Sequence, residues 1–343
     1  MQNVALRSST CMGIKKVLTF RASSIGDSLM GKYFLENIRA AYPEARLALA
    51  VSSRVGMIRD LFAAYSWLEV VEANKTPCSL LALFKRGRND VAVTPYTGGV
   101  YPLAPKLFAR FIARTLVGYA DKSRLSRFLY TKLIPLVGRS RAPRLLECDA
   151  LAAIGTPVSI PRPTFTYLPQ PQLLERLGLQ AKNYTVLHLF SGSDARGLSL
   201  KRKQELIQAL AAVLPEGMKL VLTGSDKERE SLGNSLPLQA VSAQTTLQEL
   251  AALVDQSALM VSLDTGAAHL AAHLQKPLIV LASCVGVQWW GSDMYGENIP
   301  TSLFTRLDVC KDGHDYSGYA KCLEAIDVIE VAEKARKLFR MTA

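Results

Sequence analysis

The chain has no apolar run long enough to cross a bilayer. A spanning helix needs about 18 to 20 such residues, and the longest run here, Leu278 to Val287, is roughly half that. It has no Cys-x-x-Cys pair either. Its cysteines, Cys11, Cys78, Cys148, Cys284, Cys310 and Cys322, are scattered, which argues against a disulfide scaffold and for a reduced, cytoplasmic compartment. The spacing of Cys310, His314 and Cys322 fits no common zinc pattern, so no metal site is expected. No Asp-x-Asp occurs, leaving no obvious carboxylate pair through which a divalent ion would bridge a diphosphate. Residues 1–16 lack the apolar region and cleavage site of a signal peptide, and read as a frayed extension with the working start nearer Met12. Helix-turn-helix, RNP and zinc-finger patterns are missing, so nucleic acid is not an expected partner.

Acidic residues are in short supply: 29 Asp and Glu face 41 Lys and Arg, for a net charge of +12. Most of the excess sits between Tyr101 and Leu146. There Lys106, Arg110, Arg114, Lys122, Arg124, Arg127, Lys132, Arg139, Arg141 and Arg144 meet a single acid, Asp121. Leu107, Phe108, Phe111, Ile112, Leu116, Leu125, Phe128, Leu129, Leu133 and Ile134 are interleaved with them at near-helical spacing. Such a face suits an anionic membrane surface, where each nearby basic residue contributes about 1 kcal/mol, or a phosphorylated glycan. A solvated basic face explains the same residues.

With 343 residues, 49% of them apolar, the chain has material for two cores. Apolar runs at Val17 to Phe20, Leu47 to Val51, Glu69 to Glu72 and Val91 to Thr94 alternate with helical patterns at 28–42, 55–65 and 78–86. After the proline-rich stretch Gly155 to Pro171 the plan repeats. Strands are predicted near Thr185 to Phe190, Lys219 to Thr223, Ala240 to Ser242, Leu259 to Ser262 and Leu278 to Leu281, with helices at 201–214, 226–235, 246–254 and 266–274. This alternation predicts an α/β chain with parallel sheets covered by helices. The expected division is 1–160 and 172–325, with a linker at 155–171 and a final helical segment, 326–343.

Two strand-to-helix junctions carry the chemistry. In Val261-Ser262-Leu263-Asp264-Thr265-Gly266-Ala267-Ala268-His269, an apolar strand runs into a small-residue turn and then a helix. The unpaired N–H groups and dipole of such a helix start attract an anion, and Gly266 would let a phosphate approach. An ordinary connection with Asp264 as N-cap and His269 as a structural histidine accounts for the same residues. At the other junction, Arg21-Ala22-Ser23-Ser24-Ile25-Gly26-Asp27-Ser28 follows the first strand. Asp27 near a helix N-terminus stays ionised and can act as a base, although capping explains it too.

Together these segments are similar to the glycosyltransferase family 9 heptosyltransferases. The first resembles their Ser-x-Gly-Asp loop, and Asp264-Thr265-Gly266-x-x-His269 resembles their nucleotide-sugar signature, in the same order and at a similar separation. The resemblance runs from about Lys16 to Leu338 and is weak between Leu80 and Arg144. It implies the GT-B fold, two Rossmann-like domains facing a cleft, with acceptor bound by the first and donor by the second, and the last helix returning to the first. It implies an inverting transfer from a nucleotide diphosphate sugar, ADP-heptose by family default, to the lipopolysaccharide inner core or a related anionic glycolipid at the inner membrane, without metal or other cofactor.

Carried over residue by residue, Asp27 is the general base, and Ser191, Ser193, Arg196, Asp226, Thr245, Asp264, Thr265, Gly266 and His269 bind the donor. In Ser191-Gly192-Ser193-Asp194-Ala195-Arg196-Gly197, Arg196 stands where the family has lysine, and Leu198-Ser199 replaces its Trp-Pro. Asp226 stands for the family's usual glutamate, with a helix N-cap as the plain reading. Thr245 lies where the nucleobase pocket falls, while Thr246 and Glu249 satisfy a capping box. Ser24, Gly26, Arg54 and Tyr96 are acceptor candidates, as are Phe20-Arg21 and Arg59, against surface solvation for each arginine. Three other readings stand beside this: an epimerase or another donor on the same fold, a non-catalytic lipid- or glycan-binding protein, and an esterase using the Gly26-Asp27-Ser28-Leu29 block. The esterase lacks an Asp-x-x-His partner.

Overall fold

The computed structural model describes residues 13–21, 24–74, 76–95, 103–120, 126–135, 141–233, 236–296, 301–310 and 318–342. In the first half, β1 (Lys16–Arg21), α1 (Ile25–Ala41), β2 (Arg46–Val51), α2 (Val55–Leu61), β3 (Leu68–Glu72) and α3 (Pro77–Lys85) come first. They are followed by β4 (Asn89–Val93), α4 (Leu103–Phe111), β5 (Ala113–Tyr119), α5 (Ser126–Leu129), β6 (Lys132–Ile134) and α6 (Pro143–Ala153). The second half opens with α7 (Leu173–Arg176), β7 (Tyr184–His188), α8 (Leu200–Ala211), β8 (Lys219–Thr223), α9 (Asp226–Glu230), β9 (Ala240–Ala243) and α10 (Leu247–Asp255). It ends with β10 (Leu259–Leu263), α11 (Gly266–His273), β11 (Leu278–Leu281), α12 (Ser292–Tyr295), β12 (Thr301–Phe304), α13 (Lys321–Glu324) and α14 (Val328–Thr342).

Each half is a six-stranded parallel sheet with the same order. The first runs β3-β2-β1-β4-β5-β6 and the second β12-β11-β10-β7-β8-β9. The central strands are buried on both faces, as β10 shows with all five residues inside, which is why their sequences are unbroken apolar runs rather than alternating ones. The largest apolar cluster is shared between the sheets. It joins Leu29, Phe34 and Ile38 of α1 to Leu250 and Leu253 of α10 and Ala268 and Leu270 of α11. Two smaller clusters line the outer faces.

The basic segment departs from its near-helical reading. Residues 113–119 and 132–134 are strands β5 and β6, and the buried run Leu116-Val117-Gly118-Tyr119 fits a sheet interior better than a helix face. Gly118 is required there, because a Cβ would stand 2.0 Å from the Tyr130 ring. Several of the segment's cations are also used internally. Lys106 is buried with its Nζ 5.8 Å from the Tyr130 ring. Arg141 pairs with Asp149 at 3.0 Å, and Arg144 donates to the carbonyls of Asp293 and Pro161. Lys122, Arg124 and Arg139 lie outside the described residues.

The last helix also departs from expectation. α14 packs on α8, with Val331, Ala332, Ala335 and Phe339 against Leu206, Ile207 and Leu210 in the second half's own cluster, because its apolar stripe matches that face. Links between the halves come instead from α1 on α11, α2 on α10 and α6 on α12. Among the described residues no helix is long and apolar enough to cross a membrane.

Candidate functional site

In both sheets the strand order reverses between the first and fourth strands of the half, and ligands of open parallel sheets bind beyond the carboxyl ends at that point. In the second half this lies between β7 and β10, so the loop at Ser191 to Gly197 and the turn at Asp264 to Gly266 are neighbours. In the first half it lies beside the β1–α1 junction.

The two junctions meet tip to tip. A Cβ on Gly266 would fall 2.5 Å from Ile25 Cβ, and one on Gly26 would fall 2.9 Å from His269 Cδ2. Both glycines are therefore spent on letting α1 and α11 touch across the halves. Ile25 thus occupies the space that a side chain at 266 would need, while Gly266 itself stays half-exposed at the turn.

On α1, Ser24 is the N-cap: its Oγ accepts from Asp27 N at 3.1 Å and donates to Asp27 Oδ2 at 2.7 Å. Asp27 is therefore not the cap but the third residue of the helix, and it stays half-buried at the helix mouth. Ser28 is fully buried, so it has no access to an ester and the esterase reading has no nucleophile. Arg21 is not an acceptor contact. It is buried and grips both oxygens of Glu147 at 2.6 Å, while burial pushes the Glu147 carboxyl up to about 7 against the pull of Arg21.

On the facing turn, Thr265 is the N-cap of α11 by backbone alone, its hydroxyl lying 3.4 Å from Ser262 Oγ instead of capping the helix. Asp264 is not the cap. Its Oδ1 accepts from Trp290 Nε1 at 3.0 Å and lies 3.5 Å from His269 Nε2, and its Oδ2 fills the space that a Gly286 side chain would need. His269 stacks on Trp290 with centroids 4.6 Å apart and planes 2° from parallel, and its Nδ1 lies 2.6 Å from Tyr295 Oη. Burial and the nearby Asp264 charge raise Tyr295 far above the usual phenol value, so a neutral hydroxyl faces the ring. The carboxylate favours the proton on Nε2, leaving Nδ1 to accept from the phenol. At 7% exposure, His269 is packed between these partners and braces the turn.

In the neighbouring loop Ser193 and Arg196 are exposed, while Ser191 is half-buried and donates to Ser193 O at 2.5 Å. Ser199, at the family's Trp-Pro position, N-caps α8 and bonds Glu324 through both N and Oγ, at 2.6 and 2.7 Å. Asp226 neither caps α9 nor turns inward. It pairs with Arg229 on the surface, and Ser225 with Glu228 forms the capping box. Glu228 is the carboxylate beside Gly224 at the end of β8, near enough to His188 and Lys203 to raise both pKa values against burial. Sequence reasoning missed Glu228 and Lys203, although Ser-x-x-Glu marked the box. Thr245 is half-buried next to the capping box of Thr246 and Glu249, and the α10 N-terminus after it docks on Asp60 of α2. Arg54 is exposed with a left-handed backbone (φ 53°), Arg59 donates to Val70 O, and Tyr96 and His314 lie outside the described residues.

A cavity of about 850 Å³ opens along the linker between Thr164–Pro171 and Asp255–Gln275, and none of the predicted site residues lines it. A further convergence was not foreseen: Cys310 and Cys322 come together with Cys284, whose distance in sequence hid it.

The family model for glycosyltransferase family 9 (heptosyltransferase) matches residues 202–283, which contain the α8 to β11 core and the Asp264 turn. The lipopolysaccharide heptosyltransferase 3 of Escherichia coli is 22% identical over 342 residues, covering 90% of this chain and 96% of that one. The chain is thus similar to glycosyltransferase family 9, in this core by the family model and along most of its length by the relative. The chain is a glycosyltransferase, and its paired sheets have the GT-B arrangement. The solved E. coli ADP-heptose lipopolysaccharide heptosyltransferase II superposes with a TM-score of 0.71 at 18% identity, over 95% of this chain and 99% of the other. The E. coli heptosyltransferase WaaC, with ADP-2-deoxy-2-fluoro heptose, gives 0.62 at 16% identity, over 96% and 100%.

Proposed function

We propose that this enzyme transfers a heptosyl group from ADP-heptose, with inversion and without metal, to a hydroxyl of the lipopolysaccharide inner core or a related anionic glycolipid. The observation that carries this reading is the contact of the two helix N-termini, which brings the start of α1, where Asp27 sits, to the helix start that follows the Asp264-Thr265-Gly266 turn of the other half. The similar E. coli chains named above act on lipopolysaccharide or are seen with an ADP-sugar analogue, and that supports this donor and acceptor.

In this mechanism Asp27 takes the proton of the attacking hydroxyl, a contribution of about 10²- to 10⁴-fold. Ser24 orients the carboxylate. Negative charge growing on the departing diphosphate is met by the α11 N–H groups, by Arg196 and by the Ser191 and Ser193 hydroxyls. His269, Trp290 and Tyr295 keep the turn in place. Residues 1–160 bind acceptor and 172–325 donor, while the linker at 155–171 joins them. Contact with the inner leaflet of the membrane is assigned to the 101–146 segment, where Arg114 and Lys132 are exposed and Phe111, 72% exposed, stacks on Phe84.

The test is Asp27→Asn assayed by ADP release from ADP-heptose with a heptose-deficient lipopolysaccharide acceptor. Transfer should fall by about 10²- to 10⁴-fold while ADP affinity is kept. Equal loss of both, or no loss, refutes Asp27 as the base, and turnover only with another nucleotide sugar refutes the donor.

A further inference from the structure

Cys284 follows β11, Cys310 ends the 3-10 turn Leu307–Cys310, and Cys322 lies in α13. Their three Sγ atoms lie within 4.8 Å of one another. Cys322 is fully buried and the other two are partly buried, and no disulfide joins them. Three thiols delivered from three separate segments to one spot is the donor set of a soft metal ion. Tetrahedral thiolate coordination at about 2.3 Å per bond puts sulfurs about 3.8 Å apart, so the cluster needs to contract by no more than about 1 Å.

The surroundings say what such an ion would do. The chain between β12 and α14 has only a 3-10 turn and the four-residue α13 as regular structure among its described residues, and offers little core of its own. The thiols tie it to the loop after β11. That loop carries Gly286, which fits against Asp264, and Trp290, which bonds Asp264 and stacks on His269. The tied segment carries Glu324, which clamps Ser199 at the start of α8, directly after the Arg196 loop. Both walls of the donor mouth thus trace back to the same three sulfurs.

We propose that Cys284, Cys310 and Cys322 bind one thiophilic divalent ion, zinc, as a structural tie behind the donor mouth. On binding, the three thiols release three protons and their sulfurs each form one bond to the metal, with water completing the tetrahedron. Binding therefore strengthens as pH rises. The ion takes no part in sugar transfer, and the proposal stands or falls separately from the choice of donor.

The test uses the full chain, without an affinity tag, purified under reducing conditions. Elemental analysis should find about one zinc per chain. After chelator treatment, Co²⁺ should restore one equivalent with a thiolate-to-cobalt band in the near ultraviolet, displaced by Zn²⁺. Loss of an outer-shell partner already costs about 10- to 100-fold in metal affinity, so Cys310→Ser and Cys284→Ser should each cost at least about 100-fold. Cys78→Ser, exposed on α3, should cost nothing. The stripped wild type should melt lower and bind ADP more weakly, with both recovered on adding Zn²⁺, and this arm needs no variant to fold. Less than about a tenth of an equivalent of metal with no one-to-one cobalt band, or a disulfide between two of the three by non-reducing mass spectrometry, overturns the proposal.

Discussion

Replacing Gly266 by alanine sets two effects against each other. Helix propensity alone favours alanine by about 1 kcal/mol, and Gly266 has no left-handed backbone to forbid it. The contact across the halves opposes the change, because the new Cβ would lie 2.5 Å from Ile25 Cβ. Ordinary carbon contact begins near 3.5 Å, so α1 and α11 must part by about 1 Å. Overpacking of this kind costs about 1 to 3 kcal/mol, leaving a net destabilisation of up to about 2 kcal/mol. The larger effect should be on rate, since a misplacement of about 1 Å can cost on the order of 10²-fold. Urea unfolding reads the first quantity and kcat for ADP release the second. The nearest atom is Ile25 Cβ, so Ile25→Gly should restore rate to Gly266→Ala, whereas Ile25→Ala, which keeps that atom, should not. A single variant with unchanged kcat and raised stability would refute the contact, as would equal rescue by both second-site changes.

Trp290→Phe keeps the ring over His269 but removes the bond to Asp264; ADP affinity should fall by roughly five- to tenfold, about 1 kcal/mol, measured by calorimetry, and unchanged affinity would detach the aromatic cluster from the site. Glu147→Gln strands the buried Arg21 guanidinium and should cost about 3 to 5 kcal/mol, while Arg21→Met with Glu147→Leu should be near neutral by urea unfolding. Burial holds His188 and His273 below the usual imidazole value of 6.5, so only the unfolded chain takes up their protons just below that pH. Their contribution is complete above pH 6.5 and is lost as pH falls. His273, which faces Lys32 and His269, is the cleaner probe: His273→Leu should flatten the fall in urea midpoint between about pH 6.5 and 5, and an unaltered slope would sink this assignment.

The strands of both sheets that could be read in advance were those in unbroken apolar runs, such as Val17 to Phe20 and Leu259 to Ser262. Double burial at a sheet centre writes itself into composition. Toward the edges that signal fades. β5 was hidden by Arg114 and by basic residues on either side, and β6 is three residues long with two exposed. The destination of α14 was equally hidden, because an amphipathic stripe records that a face is covered but not by what.

At the candidate site the local backbone was legible in the sequence, and the tertiary packing around each residue was not. Asp27 stands at the mouth of α1 as its sequence position implies. Gly266 and His269 were read as ligand contacts because a turn glycine and a helix-start histidine are what an anion site needs. The neighbours that take up both, Ile25 and Tyr295, come from elsewhere in the chain, and no local pattern encodes such a meeting. Asp226 shows the same limit at shorter range. Asp226 and Glu228 are two residues apart on one helix turn, so the pairing of Asp226 with Arg229 decides which carboxylate remains beside Lys203 at the end of β8. A donor ribose held here would therefore report on Glu228, and Glu228→Gln rather than Asp226→Asn should weaken ADP binding.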